Sequence, residues 1–428
     1  MSTVIKKYKN GLTLAVTNMQ GFDSVAFNIF VKTGSVNEVE GNYGISHFIE
    51  HMLFKGTKKR NAYEIAKQLE SLGANVNAYT DREETTYFFK STLENLEPCV
   101  EILSDMFFNS VFDSKEMARE KKVVCEEISM YNDDAYSKSE LLVNSVFYAG
   151  TKYANDVAGS KQSVKSITRK KILDYMQNFY TPQNTIISFS GNITLEKAEK
   201  LFEQYFLSQY HLTLKDEVEL LSKINAKNQK PIIKHQTIKK FKDNEQSHIC
   251  ISYKSCSQYD KIKYPLVIMN NALGRGMSSK LFQRIREQLG LVYSISSSVY
   301  CNVAGGDLTI HFATTTKNVP LALKSIKAEI DLLIKNGLTE TEFLDAKNNY
   351  ISSVKLAWES TSSMNTKICQ NIKNHGKEIT KQDILDMIDE VTLTDVNNAI
   401  KYVFDNNDYC ISYVGQNTKL NLLKKYNS

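Results

Sequence analysis

Two histidines and a glutamate lie within five residues of one another in the segment His47-Phe48-Ile49-Glu50-His51. On an α-helix, His47 and His51 project from one face about one turn apart, which suits two ligands of the same metal ion. Glu50 shares that face, where its carboxylate could take a proton from water and later give it to a leaving amine. The motif therefore predicts metal-assisted hydrolysis of an amide bond.

A third metal ligand must come from another segment, because a catalytic zinc site usually has three protein ligands. The segment DSKEMAREKKVVCEEISMYNDD has a helical pattern that places Glu120 and Glu127 on its apolar face, while Glu126 points away. A carboxylate that faces the interior is costly unless a cation pairs with it. We therefore predict Glu127 as the third ligand. Glu120 could orient a ligating histidine, with a buried ion pair as the alternative. The other predicted members of this face are Met117, Val123, Val124, Ile128 and Tyr131.

The elements that position these residues mix strands and helices. Strand-like alternation occurs in LTLAVT and SVAFNIFVKTG, and helical patterns follow at residues 44–72 and 94–147. NVNAYT and TTYFFKST lie between the two helical regions and also have the pattern of strands. This order lacks regular βαβ alternation and indicates an α+β fold with mostly antiparallel sheets.

The second half of the chain repeats the order of the first. HICISY takes the place of VAFNIFV, GMSSKLFQRIREQLG that of GISHFIEHMLFKG, and LVYSISSSVY with GDLTIHFATTT that of the next two strands. Residues 213–232 are polar and charge-rich, as in a linker. We predict two similar α+β domains related by an internal repeat, at residues 1–212 and 233–428.

Composition and charge limit the classes of function. The 428 residues include 53 Lys plus Arg and 48 Asp plus Glu, and the two signs are interspersed, so nucleic acid is not an expected partner. No apolar run reaches the roughly 18 residues that span a bilayer, and the N-terminal sequence lacks the features of a signal peptide. We therefore expect a globular, cytoplasmic protein that does not contact a membrane.

Other candidate metal ligands are poorly spaced. The seven cysteines form no C-x-x-C pair, which argues against a disulfide framework and a cysteine zinc site. His248 and His311 lie in strand-like segments without a ligand-spaced companion. We interpret these residues as ordinary members of the fold.

The motif and its surroundings resemble the pitrilysin and insulin-degrading enzyme superfamily of inverzincin peptidases, in particular its two-domain, mitochondrial-processing-peptidase-like branch. G-I-S-H-F-I-E-H-M-L-F-K-G-T is close to the pattern of that branch, and Glu127 stands 76 positions after His51, where the family has its third zinc ligand. Glu120 matches a further acidic residue of the family, and FYTPQNTIISFSGN also fits the branch. The resemblance covers nearly the whole chain and implies one Zn²⁺ per chain, held by His47, His51 and Glu127.

An arginine and a tyrosine in the second half extend the resemblance. In SSKLFQRIREQLGLVYS, helical spacing places Arg286 on the inward face with Leu281, Phe282, Ile285 and Leu289. Arg286 and Tyr293 match a family pair that contacts the substrate carbonyl and its developing charge. In water-excluded surroundings, such donors stabilise an oxyanion. A structural salt bridge with a packed tyrosine is the alternative.

The resemblance also implies how substrate and partner chains bind. NAYTDREETTYF resembles the edge strand on which the family lays a peptide, so Asn77 and Ala78 are predicted to bind substrate as an added strand. In two-domain relatives the Arg and Tyr pair comes from the partner subunit, which implies a homodimer with two sites. A heterodimer with a homologous chain is the alternative.

Three functions remain open from the sequence. The first is a zinc endopeptidase that takes peptides or unfolded segments into an enclosed chamber, with Glu50 as the base. The second is a catalytic subunit that is dedicated to one precursor peptide. The third is a non-catalytic, chamber-forming subunit, which the retained motif disfavours because relatives of that kind lose it.

Overall fold

The computed structural model describes residues 2–210, 236–405 and 408–427, and the predicted linker at 213–232 lies outside them. The described residues form two β-sheets. Their strands are β1 (Ser2–Lys7), β2 (Thr13–Asn18), β3 (Ser24–Val31), β4 (Asn75–Thr80), β5 (Thr85–Thr92), β6 (Thr185–Gly191), β7 (Gln236–Phe241), β8 (Ser247–Ser255), β9 (Ser294–Cys301), β10 (Gly306–Thr314) and β11 (Tyr409–Gly415).

The helices lie mainly in the connections between consecutive strands that are not neighbours in a sheet. They are α1 (Ile45–Leu53), α2 (Ala62–Ser71), α3 (Leu96–Asn109), α4 (Ser114–Asp133), α5 (Ala135–Phe147), α6 (Lys161–Ser166), α7 (Arg169–Phe179), α8 (Leu195–Tyr205), α9 (Lys263–Gly274), a π-helix (Phe282–Gln288), α10 (Val319–Asn336), α11 (Glu340–Ala357), α12 (Thr361–His375), α13 (Lys381–Asp389), α14 (Leu393–Phe404) and α15 (Leu422–Tyr426). In the described part of the chain, no helix is both long enough and apolar enough to cross a bilayer.

The two sheets share one topology. Their strand orders are β1-β2-β6-β3-β5-β4 and β7-β11-β8-β10-β9. One pair in each is parallel, β2 with β6 and β7 with β11, and the other neighbouring pairs are antiparallel. Strand for strand, the second sheet therefore repeats the first without β1. The predicted α+β class and the internal repeat are confirmed, but the match of GMSSKLFQRIREQLG to GISHFIEHMLFKG is wrong, because the first helix after β8 is α9.

Each of the two compact units contains one helical segment from the other half of the chain. One unit comprises Met1–Ile128, Asn155–Lys227 and Leu356–Ile379, and the other comprises Ser129–Ala154, Asn228–Lys355 and Thr380–Ser428, as far as these are described. Helix α12, from the second half, packs on β3 and β6 of the first sheet, whereas α5, from the first half, packs on β8 and β11 of the second. The predicted division at 1–212 and 233–428 does not include this exchange, because a contact between distant segments leaves no local signal.

The strand β3 explains why the first sheet needs helices on both faces. Val25, Phe27 and Ile29 point into the main hydrophobic cluster, while Phe30 points to the opposite face, where it packs with Ile368 of α12. A strand that is buried on both faces reads as a nearly continuous apolar run, as SVAFNIFV does.

Helices α1 and α4 meet in the main hydrophobic cluster of the first unit. Phe48 and Met52 of α1 belong to the same cluster as Met117, Val124 and Ile128 of α4. Burying one apolar side chain of this size stabilises the folded state by about 1.5–3 kcal/mol. The packing fixes the two helices that carry the predicted metal ligands.

Candidate metal centre

Helix α1 presents both histidines of the motif on one side. It begins after Gly44, which has a φ of +87° and no room for a side chain, because a Cβ there would lie 2.5 Å from the Ala158 carbonyl oxygen. The backbone N–H groups of Gly44 and Ser46 donate to the Glu38 carboxylate, which offsets the positive end of the helix dipole. The rings of His47 and His51 then lie 4.5 Å apart between centroids, on the side that faces α4.

Glu127 of α4 completes a group of three possible ligands. One ligand atom from each of His47, His51 and Glu127 lies within 4.8 Å of the other two. Among the described residues, these three form the cluster of His, Cys, Asp or Glu side chains that could hold a metal ion. Glu127 Oε2 is 3.7 Å from His47 Nε2 and 3.4 Å from His51 Nε2. The structure thus brings together the three residues predicted as ligands.

These separations fit a zinc ion. Two ligands that each bind zinc at about 2.0–2.2 Å, with a tetrahedral angle between them, lie about 3.4 Å apart. The carboxylate–imidazole distances in the centre match that value. In each of these contacts the imidazole atom is Nε2, so both rings present the same nitrogen toward Glu127.

Glu120 lies behind His51 and holds its ring. Glu120 Oε1 accepts a hydrogen bond from His51 Nδ1 at 2.8 Å, and Glu120 Oε2 is 2.9 Å from Lys55 Nζ. Burial alone would raise the pKa of Glu120, but the hydrogen bonds from His51 and Lys55 outweigh it and lower that pKa. With Nδ1 protonated, His51 presents the lone pair of Nε2 toward Glu127.

The two histidines differ in electrostatic surroundings. Burial and the neighbouring His51 lower the pKa of His47. Burial opposes the charged form of His51 as well, but Glu120 and Glu127 outweigh it and raise its pKa. The carboxylates of Glu120 and Glu127 therefore stabilise a positive charge on the His51 side of the centre, as a metal site requires.

Glu50 lies beside the ligands and contacts the first sheet. Its Oε2 accepts a hydrogen bond of 2.6 Å from the Thr80 hydroxyl at the end of β4. Burial raises the pKa of Glu50, although the hydrogen bond from Thr80 acts in the opposite direction. A carboxylate with a raised pKa is suited to taking up and releasing a proton near neutral pH.

The predicted face of α4 is partly correct. Met117, Glu120, Val124 and Ile128 are buried as expected, and Glu126 is exposed. Val123 and Tyr131, however, are 50% and 40% exposed, so the prediction that they face the interior is wrong. Val123 lies at the margin of the helical face, whereas Tyr131 lies on the face but only two residues before the helix ends at Asp133.

Asn77 and Ala78 lie on β4, the last strand of the first sheet. On one side β4 pairs with β5, where Asn77 lies opposite Phe88 and Ala78 opposite Tyr87. The Asn77 side chain is exposed and accepts a hydrogen bond of 2.8 Å from the Ala78 backbone N–H. The strand order places β4 at a sheet edge, which is the geometry to which an extended peptide can be added.

The inward orientation predicted for Arg286 is wrong. The Arg286 side chain is 41% exposed, its guanidinium lies 4.6 Å from the centre of the Phe282 ring, and its Nε is 3.8 Å from Glu287. Phe282–Gln288 is a π-helix, so the 100° spacing used to assign the inward face does not apply. Tyr293 is 71% exposed, and its backbone N–H donates to the Ala313 carbonyl.

Comparison with known proteins identifies relatives over nearly the whole chain. The family model described as Insulinase (Peptidase family M16) matches residues 14–161, and the one described as Peptidase M16 inactive domain matches residues 166–350. An uncharacterized zinc protease of Bacillus subtilis, YmxG, is 33% identical over 96% of this chain and 98% of its own length. An uncharacterized zinc protease of Rickettsia felis is 31% identical over 94% of both chains.

A solved structure has the same fold. The crystal structure of a protease from Helicobacter pylori superposes with a TM-score of 0.88 at 21% identity, over 97% of this chain and 99% of that one. In the second repeat, the first helix after β8 is α9, whose sequence KYPLVIMNNALG contains no histidine. The repeat that carries the ligands is therefore the first one.

Proposed function

The chain belongs to peptidase family M16, and on this basis we propose that it is a zinc-dependent endopeptidase that hydrolyses peptides or unfolded segments in an enclosed chamber. The observation that carries the proposal is the cluster of His47, His51 and Glu127, with separations that fit one zinc ion. When bound, zinc polarises the scissile carbonyl and makes water more acidic.

Glu50 is the general base and acid of the proposed reaction. Its carboxylate removes a proton from the attacking water, and the same proton is then delivered to the nitrogen of the departing amine. Burial of Glu50 supports this role, because a carboxyl group with a raised pKa holds the proton between the two transfers more readily.

Glu120 fixes the orientation of His51 during turnover. By accepting a hydrogen bond from the Nδ1–H group of His51, it keeps Nε2 available as a ligand, and Lys55 binds the second carboxylate oxygen. Partners of this kind change metal affinity or activity by about 10–100-fold when they are removed. Glu120 is thus assigned to the site without being a ligand.

The substrate is proposed to bind as an extra strand on β4. Backbone groups near Asn77 and Ala78 would pair with an extended peptide, so the enzyme would select unfolded chains over folded proteins. Arg286 and Tyr293 are proposed to contact the substrate carbonyl of the site in a second subunit. Their exposure supports contact with another molecule, and the assembly is proposed to be a homodimer, with a heterodimer as the alternative.

The test is digestion of a peptide mixture read by mass spectrometry. Wild type should cleave, should lose activity with a chelator and should regain it with zinc. Glu50→Gln should keep zinc and lose activity, whereas Glu127→Gln should lose both. Glu126→Gln is the matched control, because Glu126 is the exposed neighbour of Glu127 on α4 and should retain zinc and activity.

Two outcomes would contradict the proposal. Full activity in Glu50→Gln with zinc bound would exclude Glu50 as the base, and absence of zinc from protein purified without chelator would exclude the metal centre. The homodimer is tested by mixing inactive Glu50→Gln with Arg286→Ala. Recovery of activity in the mixture indicates completion of a site in trans.

A further inference from the structure

The hydroxyl of Thr80 contacts the proposed base directly. Thr80 Oγ1 donates to Glu50 Oε2 at 2.6 Å, which is within the range of about 2.5–2.7 Å for a hydroxyl hydrogen bond to a carboxylate. Neither Thr80 nor Glu50 is one of the three predicted metal ligands. The two residues come from different elements, β4 and α1. The contact therefore joins the helix that carries the base to the strand at the edge of the sheet.

The position of Glu50 requires such a contact. Its side chain has three rotatable bonds, and a general base must lie within hydrogen-bond reach of the proton that it abstracts. The Thr80 hydroxyl engages one carboxylate oxygen, Oε2, so the other oxygen can face the attacking water. Without the hydroxyl, the carboxylate would be free to adopt other rotamers and would meet the water less often.

Thr80 itself is held firmly. It is the last residue of β4 and pairs with Thr85 across the hairpin, where the Asp81 backbone N–H donates to the Glu84 carbonyl at 2.8 Å. The adjacent Tyr79 donates through its hydroxyl to the Glu84 carboxylate, which is 3% exposed. The hydroxyl of Thr80 is thus presented from a fixed hairpin end.

We propose that Thr80 is a positioning residue that aligns Glu50 for proton transfer and links this alignment to the strand on which the peptide is added. The inference rests on the proposed peptidase function and adds a residue to it. A peptide that pairs with β4 lies along the strand that ends at Thr80, so substrate binding and base alignment share one element.

The test separates the hydroxyl from the shape of the side chain. Thr80→Val removes the donor and keeps the β-branched volume, whereas Thr80→Ser keeps the donor. Thr237→Val is the control, because Thr237 is an exposed threonine on β7 of the other sheet. Each variant is checked for zinc content and thermal melting, and kcat and KM are measured with a peptide that the wild type cleaves.

Thr80→Val should bind zinc as the wild type does and should have a kcat lower by about 10–100-fold with KM nearly unchanged. Thr80→Ser should recover most of the kcat, and Thr237→Val should match the wild type. A Thr80→Val variant with wild-type kcat overturns the inference and leaves the peptidase proposal intact, as does a Thr80→Ser variant as slow as Thr80→Val. Zinc-loaded wild type that cleaves no peptide overturns both.

Discussion

Acidification should destabilise the second sheet through His311. This residue is 6% exposed on β10, and its Nε2 lies 3.3 Å from His248 Nδ1 on β8. On the side of α5, the Tyr136 ring is 4.4 Å away between centroids, and Asp134 precedes the helix. Burial first, and His248 second, lower the pKa of His311 to about 3, although Asp134 acts in the opposite direction.

The size of the effect follows from the two pKa values. The folded pKa lies below the ordinary value of 6.5, so the unfolded chain takes up the proton first as the pH falls. The contribution to the free energy of unfolding is therefore intact near pH 7 and is lost as the pH falls from 6.5 toward 3. One pKa unit corresponds to about 1.4 kcal/mol, so about 2 kcal/mol should be lost by pH 5.

The assay is urea unfolding of metal-free protein at pH 7 and pH 5, followed by circular dichroism. The loss of free energy of unfolding between pH 7 and pH 5 should be about 2 kcal/mol smaller in His311→Gln than in the wild type, whatever the effect of the substitution on stability at pH 7. His375→Gln, at an exposed position on α12, is the control. Fluorescence of Trp358, the single tryptophan, reports on the other compact unit. If His311→Gln lost as much free energy of unfolding between pH 7 and pH 5 as the wild type does, the reasoning would be refuted.

Three further outcomes are expected. Lys55→Met should weaken zinc binding by about 10-fold in chelator competition, because Glu120 loses the ammonium group that helps to hold it against the ligating histidine, whereas Lys55→Arg should bind nearly as wild type. Lys373→Met removes the cation beside the buried Glu84 carboxylate and should lower the free energy of unfolding by about 3 kcal/mol, measured through tryptophan fluorescence; an unchanged value would show that hydrogen bonds alone satisfy Glu84. Chelation of zinc should lower the melting temperature in calorimetry, and zinc addition should restore it, because the metal binds the folded state.

The identity of the three predicted ligands could be predicted because it depends on local periodicity. The i, i+4 spacing of His47 and His51 needs only a helix, and the choice of Glu127 over Glu126 needs only the apolar face of a second helix. That the two helices meet followed from the family resemblance. The contacts of Lys55 and Thr80 did not follow, because the first depends on where the chain leaves α1 and the second on how a sheet edge packs beside it.

Two features of the second half show where periodicity fails. The interior face assigned to Arg286 assumed an α-helix, and the π-helix places its side chain toward solvent. His248 and His311 were interpreted separately, yet adjacent strands bring their imidazoles together. The alternation of each strand was visible in the sequence, but the register between them was not.

The exchanged helix α12 has a consequence for biosynthesis. The face of β3 and β6 that it covers is complete when Gly191 has been made, but α12 begins at Thr361, which is 361 − 191 = 170 residues later. At a synthesis rate of about 5–20 residues per second, this interval lasts roughly 10–30 seconds. During that time an apolar surface that includes Phe30 and Ile186 has no covering helix from its own chain. A nascent chain of this protein therefore carries an exposed apolar sheet face, which favours aggregation, until translation is nearly complete.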